Sequence, residues 1–274
     1  PIPLLGIIGK SPIESNLVVL TKPKSAMAEA FRALRSSLQF IYKKQGIKGA
    51  KTVLVTSSVS GEGKTFCSIN LASVFALSEK KTVLVGLDLR KPKIFGDFNI
   101  NNDMGVVNFL IDEADIDTVI QKTEIAHLDV IPSGPIPPNP SELLISEKLD
   151  DLIGALKERY DYIILDSPPL GLVSDSLELM KHVDATLYMA RFNYTHKNMF
   201  TFVNEKYKTG EVKHISIVLN GYVEKTGKGY GYGYGYGYGY GYGYGNYGSY
   251  GNGYHEHIKP PTLLDRAKRI FRKK

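Results

Sequence analysis

The stretch SVSGEGKT, Ser58 to Thr65, holds the residue types that grip a polyphosphate. It fits the spacing G-x-x-x-x-G-K-[ST], with Ser58 in place of the first glycine. The nucleotide-binding positions expected from it are Ser60, Gly61, Glu62, Gly63, Lys64, Thr65 and Phe66. Glycines let backbone N–H groups curl around phosphates, and a helix opening behind them adds positive potential. Lys64 brings a point charge to the β- and γ-phosphates, and the Thr65 hydroxyl is a ligand for Mg²⁺. ATP and Mg²⁺ are therefore the expected cofactors. Such a loop also needs carboxylates at neighbouring strand ends, to hold the metal and its waters. VLVGLDLR ends on Asp88 and Arg90, and YIILDSPP carries Asp166. Thr65, Asp88 and Asp166 form the candidate metal set. Lys64, Asp88, Asp166 and Arg90 form the candidate catalytic set.

A second stretch offers an acceptor. Eleven tyrosines are strung on glycine near the C-terminus: Tyr230, Tyr232, Tyr234, Tyr236, Tyr238, Tyr240, Tyr242, Tyr244, Tyr247, Tyr250 and Tyr254. Glycine at alternate positions is costly to order and adds no core, so a flexible tail is expected. A Gly-rich coil of about 30 residues spans roughly 30 Å, enough to reach its own site or a neighbour's. A free tyrosine has a pKa near 10. Asp88 is the candidate to accept its proton or orient the metal. Arg90 and Lys91 are candidates to lower that pKa or steady the transferring phosphoryl group.

The elements that must position these groups follow from periodicity. Short β-branched apolar runs (KTVLVTSS, KTVLVGLDLR, HLDVIPSG, DYIILDSPP, ATLYMARF and HISIVLNG) read as strands. Helical stretches lie between them, after Lys64 and around 105–111, 141–159, 173–182 and 195–208. Alternation of this kind predicts an α/β fold, a mostly parallel sheet with helices on both faces. Upstream, Met27, Phe31, Leu34, Leu38 and Ile41 make one apolar stripe of a helix.

Composition bounds the function. The chain has 274 residues, one cysteine and a net charge of +6. Ile258 to Lys274 carries seven basic residues and one acid, which accounts for the whole +6. A basic nucleic-acid-binding face on the folded body is therefore not indicated. Cys67, on an apolar helix, reads as a small buried residue rather than a nucleophile. His255 and His257 read as solvated tail residues. In the basic end, Leu263, Leu264, Ala267, Ile270 and Phe271 share one helical face, the pattern of an interfacial helix on an anionic membrane. The tail–membrane reading is balanced against that of a solvated, frayed end.

The three phosphate-site segments resemble the Walker A, A′ and B motifs of the bacterial tyrosine kinases, the cytoplasmic domains of exopolysaccharide co-polymerases. EAFRALR matches that family's E-x-x-R-x-x-R helix at Glu29, Arg32 and Arg35. LDLRKPKI, GPIPPNPSELL, SPPLGLVSD and the tyrosine cluster agree, and the likeness runs from about Leu17 to Tyr254. The opening PIPLLGIIG resembles the linker after the family's second transmembrane helix. The resemblance implies a P-loop NTPase-like fold and an autokinase that phosphorylates its own tail, in trans within a ring, to regulate exopolysaccharide synthesis and export. It implies a homo-oligomer whose interface holds Glu29, Arg32 and Arg35. It also implies a cognate tyrosine phosphatase, the polysaccharide machinery and the membrane as partners, at the cytoplasmic face of the bacterial inner membrane. Asn220 resembles the family's adenine-side asparagine, and its Asn-Gly pair fits a plain turn equally well. The expected layout is a membrane-proximal linker at 1–24 and a kinase domain at 25–222, with 25–45 the oligomerisation helix. The tyrosine tail follows at 223–257 and the basic segment at 258–274.

Two departures matter. The family's A′ motif carries D-x-D, and its first position here is Gly86. The related partition ATPases place a lysine where this chain has Val59. That difference favours a kinase over the alternative, a partition-type regulatory ATPase without kinase activity.

Overall fold

The computed structural model describes residues 1–10, 15–170, 177 and 179–223. Eight strands form one sheet: β1 (Leu4–Gly9), β2 (Lys51–Ser57), β3 (Thr82–Gly86), β4 (Gln121–Lys122), β5 (Leu128–Ile131), β6 (Tyr162–Asp166), β7 (Ala185–Arg191) and β8 (Ile215–Tyr222). Their spatial order is β1-β8-β7-β2-β6-β3-β5-β4. Every pairing is parallel except the short β4 on β5. The fold is P-loop NTPase-like, as the sequence implied.

Both faces of the sheet are covered, which is why its strands are continuous apolar runs. Val53, Val55, Leu84, Ile164 and Leu187 face one core, shared with α1 (Val18–Thr21), α2 (Ala26–Gln45) and α3 (Lys64–Ala76). Leu54, Val83, Val85, Ile163 and Leu165 face the other. That second core is closed by α5 (Val106–Leu110), α7 (Pro140–Leu144), α8 (Glu147–Lys157) and α9 (Met199–Lys208), with α6 (Ile116–Val119) as a short connector, while the short α4 (Ile94–Asp97) lends Ile94 to the first core.

α2 forms where the apolar stripe predicts it. Ser25 caps its start by accepting the Ala28 N–H, and Gly46 in the left-handed region ends it. Met27, Phe31, Leu34 and Leu38 are its buried face. The predicted 141–159 helix is two helices, because Ser146 turns to extended backbone and its hydroxyl donates to the Leu143 carbonyl. Most of the predicted 173–182 helix lies outside the described residues, and Met180–His182 is a 3-10 turn.

The N-terminal segment differs from the expected linker in part. Leu4–Gly9 is the edge strand, in parallel register with β8. The Ile217 N–H donates to the Pro3 carbonyl, and Ile8 is buried. Asn70 of α3 accepts the Val19 N–H and donates to the Asn16 carbonyl, docking the segment before α2. Alternation was hidden here because LLGIIG is too short and Gly-punctuated to read as a strand. Among the described residues no helix is long and apolar enough to cross a membrane. The tyrosine row and the basic end lie outside the described residues.

Candidate active site

β2 runs through the middle of the sheet between β6 and β7. Its C-terminal end delivers the chain into the Ser58–Gly63 loop, and α3 starts at Lys64. Gly61 and Gly63 have φ of +88° and +96°, the left-handed region that glycine occupies without strain. A Cβ on Gly63 would also sit 2.0 Å from Asn220 Nδ2. The Lys64, Thr65 and Phe66 amides open the helix, and the first intrahelical bond is Cys67 N–H to the Gly63 carbonyl. Those leading amides are the unsatisfied donors that bind an anion at a helix start.

Side chains brace the loop. Glu62 is fully buried, and its Oε2 accepts the Val59 N–H at 2.8 Å while Oε1 accepts the Thr195 hydroxyl. Ser58, where the pattern has glycine, is buried against the Tyr188 hydroxyl. Asn220, at the register position of Arg191, donates through Nδ2 to the Glu62 carbonyl at 3.0 Å. Arg191 Nη1 donates to the Gly61 carbonyl at 2.8 Å, and Tyr194 Oη donates to the Ser60 carbonyl at 3.0 Å.

Lys64 is 7% exposed and donates to Ser57 Oγ at 3.2 Å. Burial lowers its pKa, against the opposing pull of Asp166, Asp88 and Glu62. Asp166 ends β6, beside both Val55 of β2 and Gly86 of β3. Its Oδ2 accepts the Thr65 hydroxyl at 2.8 Å and its Oδ1 accepts the Ser68 hydroxyl at 3.0 Å. Burial pushes the Asp166 carboxyl up to about 6, with the two hydroxyls and Lys64 pulling it down and Asp88 adding to the rise. Asp88 lies just past β3 and accepts the Lys91 N–H at 3.1 Å. The donor set is hard oxygen, a hydroxyl beside carboxylates, which is the chemistry Mg²⁺ prefers. Thr65, Asp166 and Asp88 would hold it, next to the amides that would hold the phosphates.

Gly86 is explained by its surroundings. A Cβ there would stand 2.9 Å from Ser133 Oγ and 3.2 Å from the Ser133 amide. That same hydroxyl donates to the Gly86 carbonyl at 2.9 Å. β5's continuation crowds the position, so a side chain there requires the Ser133 hydroxyl to turn and the Ser133 backbone to give by a small distance.

The structure gathers Ser60 to Thr65, Asp88, Asp166 and Asn220 about one loop, and it turns the side chains of Arg90, Phe66, Glu29, Arg32 and Arg35 to other partners. Arg90 Nη2 donates to Ser141 Oγ of α7 at 2.7 Å. The Phe66 ring packs edge-on against Phe31 of α2, with centroids 5.7 Å apart, so only its amide is available to a phosphate. In α2, Arg32 pairs with Glu29. Arg35 instead reaches its own α3, donating to the Val74 carbonyl at 3.0 Å and to the Ser78 hydroxyl. Cys67 is buried, and burial pushes its thiol well up. The reading of the sequence missed Ser68, Arg191, Tyr194 and Thr195. Ser68 carried a signal, a hydroxyl three residues past Thr65, near enough along the helix to share its strand-end partner. The other three sit at the end of β7 and on the turn after it, remote in sequence, where no spacing rule points back to residue 60.

Residues 50–187 match a family described as AAA domain. The chain is 34% identical over 211 residues to the tyrosine-protein kinase YwqD of Bacillus subtilis, covering 77% of this chain and 88% of that protein. It is 37% identical over 162 residues to the putative tyrosine-protein kinase CapB of Staphylococcus aureus, covering 59% and 70%. The solved kinase domain of the Escherichia coli tyrosine kinase ETK superposes with a TM-score of 0.76 at 29% identity, over 86% of this chain and 95% of that one.

Proposed function

We propose that this chain, which belongs to the family of bacterial tyrosine-protein kinases, transfers the γ-phosphoryl group of ATP to tyrosines of its own row, Tyr230 to Tyr254. One observation carries the reading. Lys64, Thr65, Asp166 and Asp88 converge at the start of α3, in a chain that also carries eleven alternating tyrosines.

Phosphoryl transfer is mainly positioning and charge neutralisation. Mg²⁺, when bound, supplies charge to the β- and γ-oxygens and a template for the phosphates. The loop amides and Lys64 hold the phosphates, with Lys64 exchanging Ser57 Oγ for phosphate oxygen. Thr65 Oγ1, which donates to Asp166 in the free chain, would turn to ligate the ion, and Asp166 would accept hydrogen bonds from the waters around it. Asp88 takes the phenol proton as the tyrosine oxygen attacks in line with the departing ADP. Asn220 and Glu62 fix the loop that carries the amides.

The tail acts in trans within a homo-oligomeric ring, with the exposed Glu29–Arg32 pair in the contact between copies. Each phosphotyrosine adds about −1.5 to −2 charges, so roughly four cancel the chain's +6 and more make it anionic. Tails that repel one another open the ring, and a cognate phosphatase resets it. The setting is the cytoplasmic face of a bacterial inner membrane, where the cycle controls exopolysaccharide synthesis and export. The test is label from Mg-ATP. Wild type gains acid-stable label on tyrosines of the tail, and Lys64→Ala gains none. Label on serine or threonine alone, or persisting in Lys64→Ala, overturns the reading.

A further inference from the structure

We propose that Tyr194 is a second phosphoacceptor, and that its phosphorylation releases the nucleotide loop. Seven of the 18 tyrosines lie outside the tail row. Tyr42, Tyr162 and Tyr188 are buried, and Tyr160, Tyr207 and Tyr222 are half-buried. Tyr194 is the one exposed tyrosine among the described residues, at 47%. It stands on a tight turn after β7. Its own N–H and that of Thr195 donate to the Arg191 carbonyl, and the Arg191 N–H donates to the Thr195 hydroxyl.

The turn braces the loop from outside. A loop that aims its N–H groups at phosphates turns carbonyls away from them. Tyr194 Oη donates to one such carbonyl, Ser60, at 3.0 Å, and Arg191 Nη1 donates to the next, Gly61, at 2.8 Å. The Arg191 guanidinium lies 5.1 Å from the centre of the Tyr194 ring. The Tyr194 oxygen is therefore on the wrong side of its own loop for in-line attack, and the donor is another copy's ATP. In the step, Tyr194 Oη forms a bond to the γ-phosphorus and the bridging bond to the β-phosphate breaks. ADP leaves, and the phenol proton passes to the other copy's Asp88.

The product cannot hold the loop. A phosphate ester has acceptor oxygens only, so the Ser60 carbonyl loses its donor. The new dianion is a stronger partner for Arg191 than the Gly61 carbonyl, because a bidentate contact between opposite full charges exceeds a single bond from the guanidinium to a neutral oxygen. Both braces are lost together, and about two negative charges appear beside the site for nucleotide phosphates. Nucleotide affinity falls, which limits further transfer.

This inference rests on the kinase reading above, and one digest separates the two. After wild-type chain is treated with Mg-ATP, trypsin gives the peptide from Phe192 to Lys197 and a tail peptide from Gly229 to Arg266. Phosphate on both is the expected result. Phosphate on the tail peptide alone overturns the Tyr194 proposal and leaves the kinase reading standing. Phosphate on neither overturns both. A full-length chain with all eleven tail tyrosines changed to phenylalanine then isolates the consequence. Phosphorylated by wild type, it binds a fluorescent ADP analogue about fivefold more weakly than after phosphatase, the scale of roughly one hydrogen bond. Adding Tyr194→Phe to that chain removes the difference. Equal affinity before and after phosphatase overturns the regulatory step.

Discussion

Asp166→Asn separates what the fold needs from what the chemistry needs. Asp166 is 2% exposed, and its carboxyl is pushed up to about 6, chiefly by burial. An aspartate in the unfolded chain titrates near 3.9, and each pKa unit is worth about 1.36 kcal/mol. The ionised carboxylate therefore costs the nucleotide-free fold about 3 kcal/mol at neutral pH relative to its neutral form. The folded pKa is raised, so the stability this group allows is fully present below about pH 4 and is lost as pH rises through about 6. Asparagine matches the neutral acid in shape and keeps an oxygen for the Thr65 or Ser68 hydroxyl. It gains nothing from ionisation and loses nothing either. Thermal unfolding in EDTA without nucleotide is the assay. For a body of this size about 1 kcal/mol moves Tm by ~2–4 °C, so the variant should melt up to about 6–12 °C above wild type at pH 7.5. Near pH 4.5 the advantage should shrink to about 1 kcal/mol. Tyrosine phosphorylation should meanwhile fall by about 100-fold or more, because the carboxylate proposed to serve the metal is gone. A variant no more stable than wild type at pH 7.5, or a gap that ignores pH, would refute the assignment of a strained acid at this position.

The remaining predictions test the loop, the crowded position on β3 and the face of α2. Gly63→Ala should lose about 2 kcal/mol or more of stability and most nucleotide binding, from left-handed backbone plus the approach to Asn220. Adding Asn220→Ala should recover the part due to the clash and leave the backbone part, read by denaturant unfolding; full stability in Gly63→Ala alone would contradict the geometry. Gly86→Asp should destabilise the chain rather than improve catalysis, and Ser133→Gly beside it should restore part of the loss; a stable, more active Gly86→Asp would show that the position is open. Arg35→Ala should cost about 1–2 kcal/mol through its lost bonds to α3. Glu29→Ala with Arg32→Ala should cost under about 0.5 kcal/mol and yet remove the large species in light scattering; an unchanged mass would return that pair to a solvated face.

Legibility followed the length scale of the signal. Strands β2, β3, β5, β6, β7 and β8 could be read because each is a β-branched run buried on both faces. The loop could be read because phosphate binding fixes glycine, lysine and threonine within eight residues. Asp88 and Asp166 could be read because parallel strands end on the same side as that loop. The β1 edge strand could not, since only its long-range register with β8 makes it a strand. Arg35 reads from spacing as part of an outward triad, and only packing shows it turned onto α3. The outer brace was equally hidden. Arg191, Tyr194 and Thr195 lie about 130 residues from the loop they hold, and the contact exists only because β7 pairs with β2. Gly86 shows the converse case: the sequence marks a missing carboxylate, and the reason sits across the sheet at Ser133.

The most direct test of the central claim is the intact mass of the full chain after incubation with Mg-ATP. Wild type should show a ladder of phosphate-sized steps that a tyrosine phosphatase collapses, and Lys64→Ala should show a single unshifted mass. Changing the eleven tail tyrosines to phenylalanine should leave at most the one step assigned to Tyr194. A wild-type chain that hydrolyses ATP and stays at one mass would contradict the account and make the protein a nucleotide switch instead.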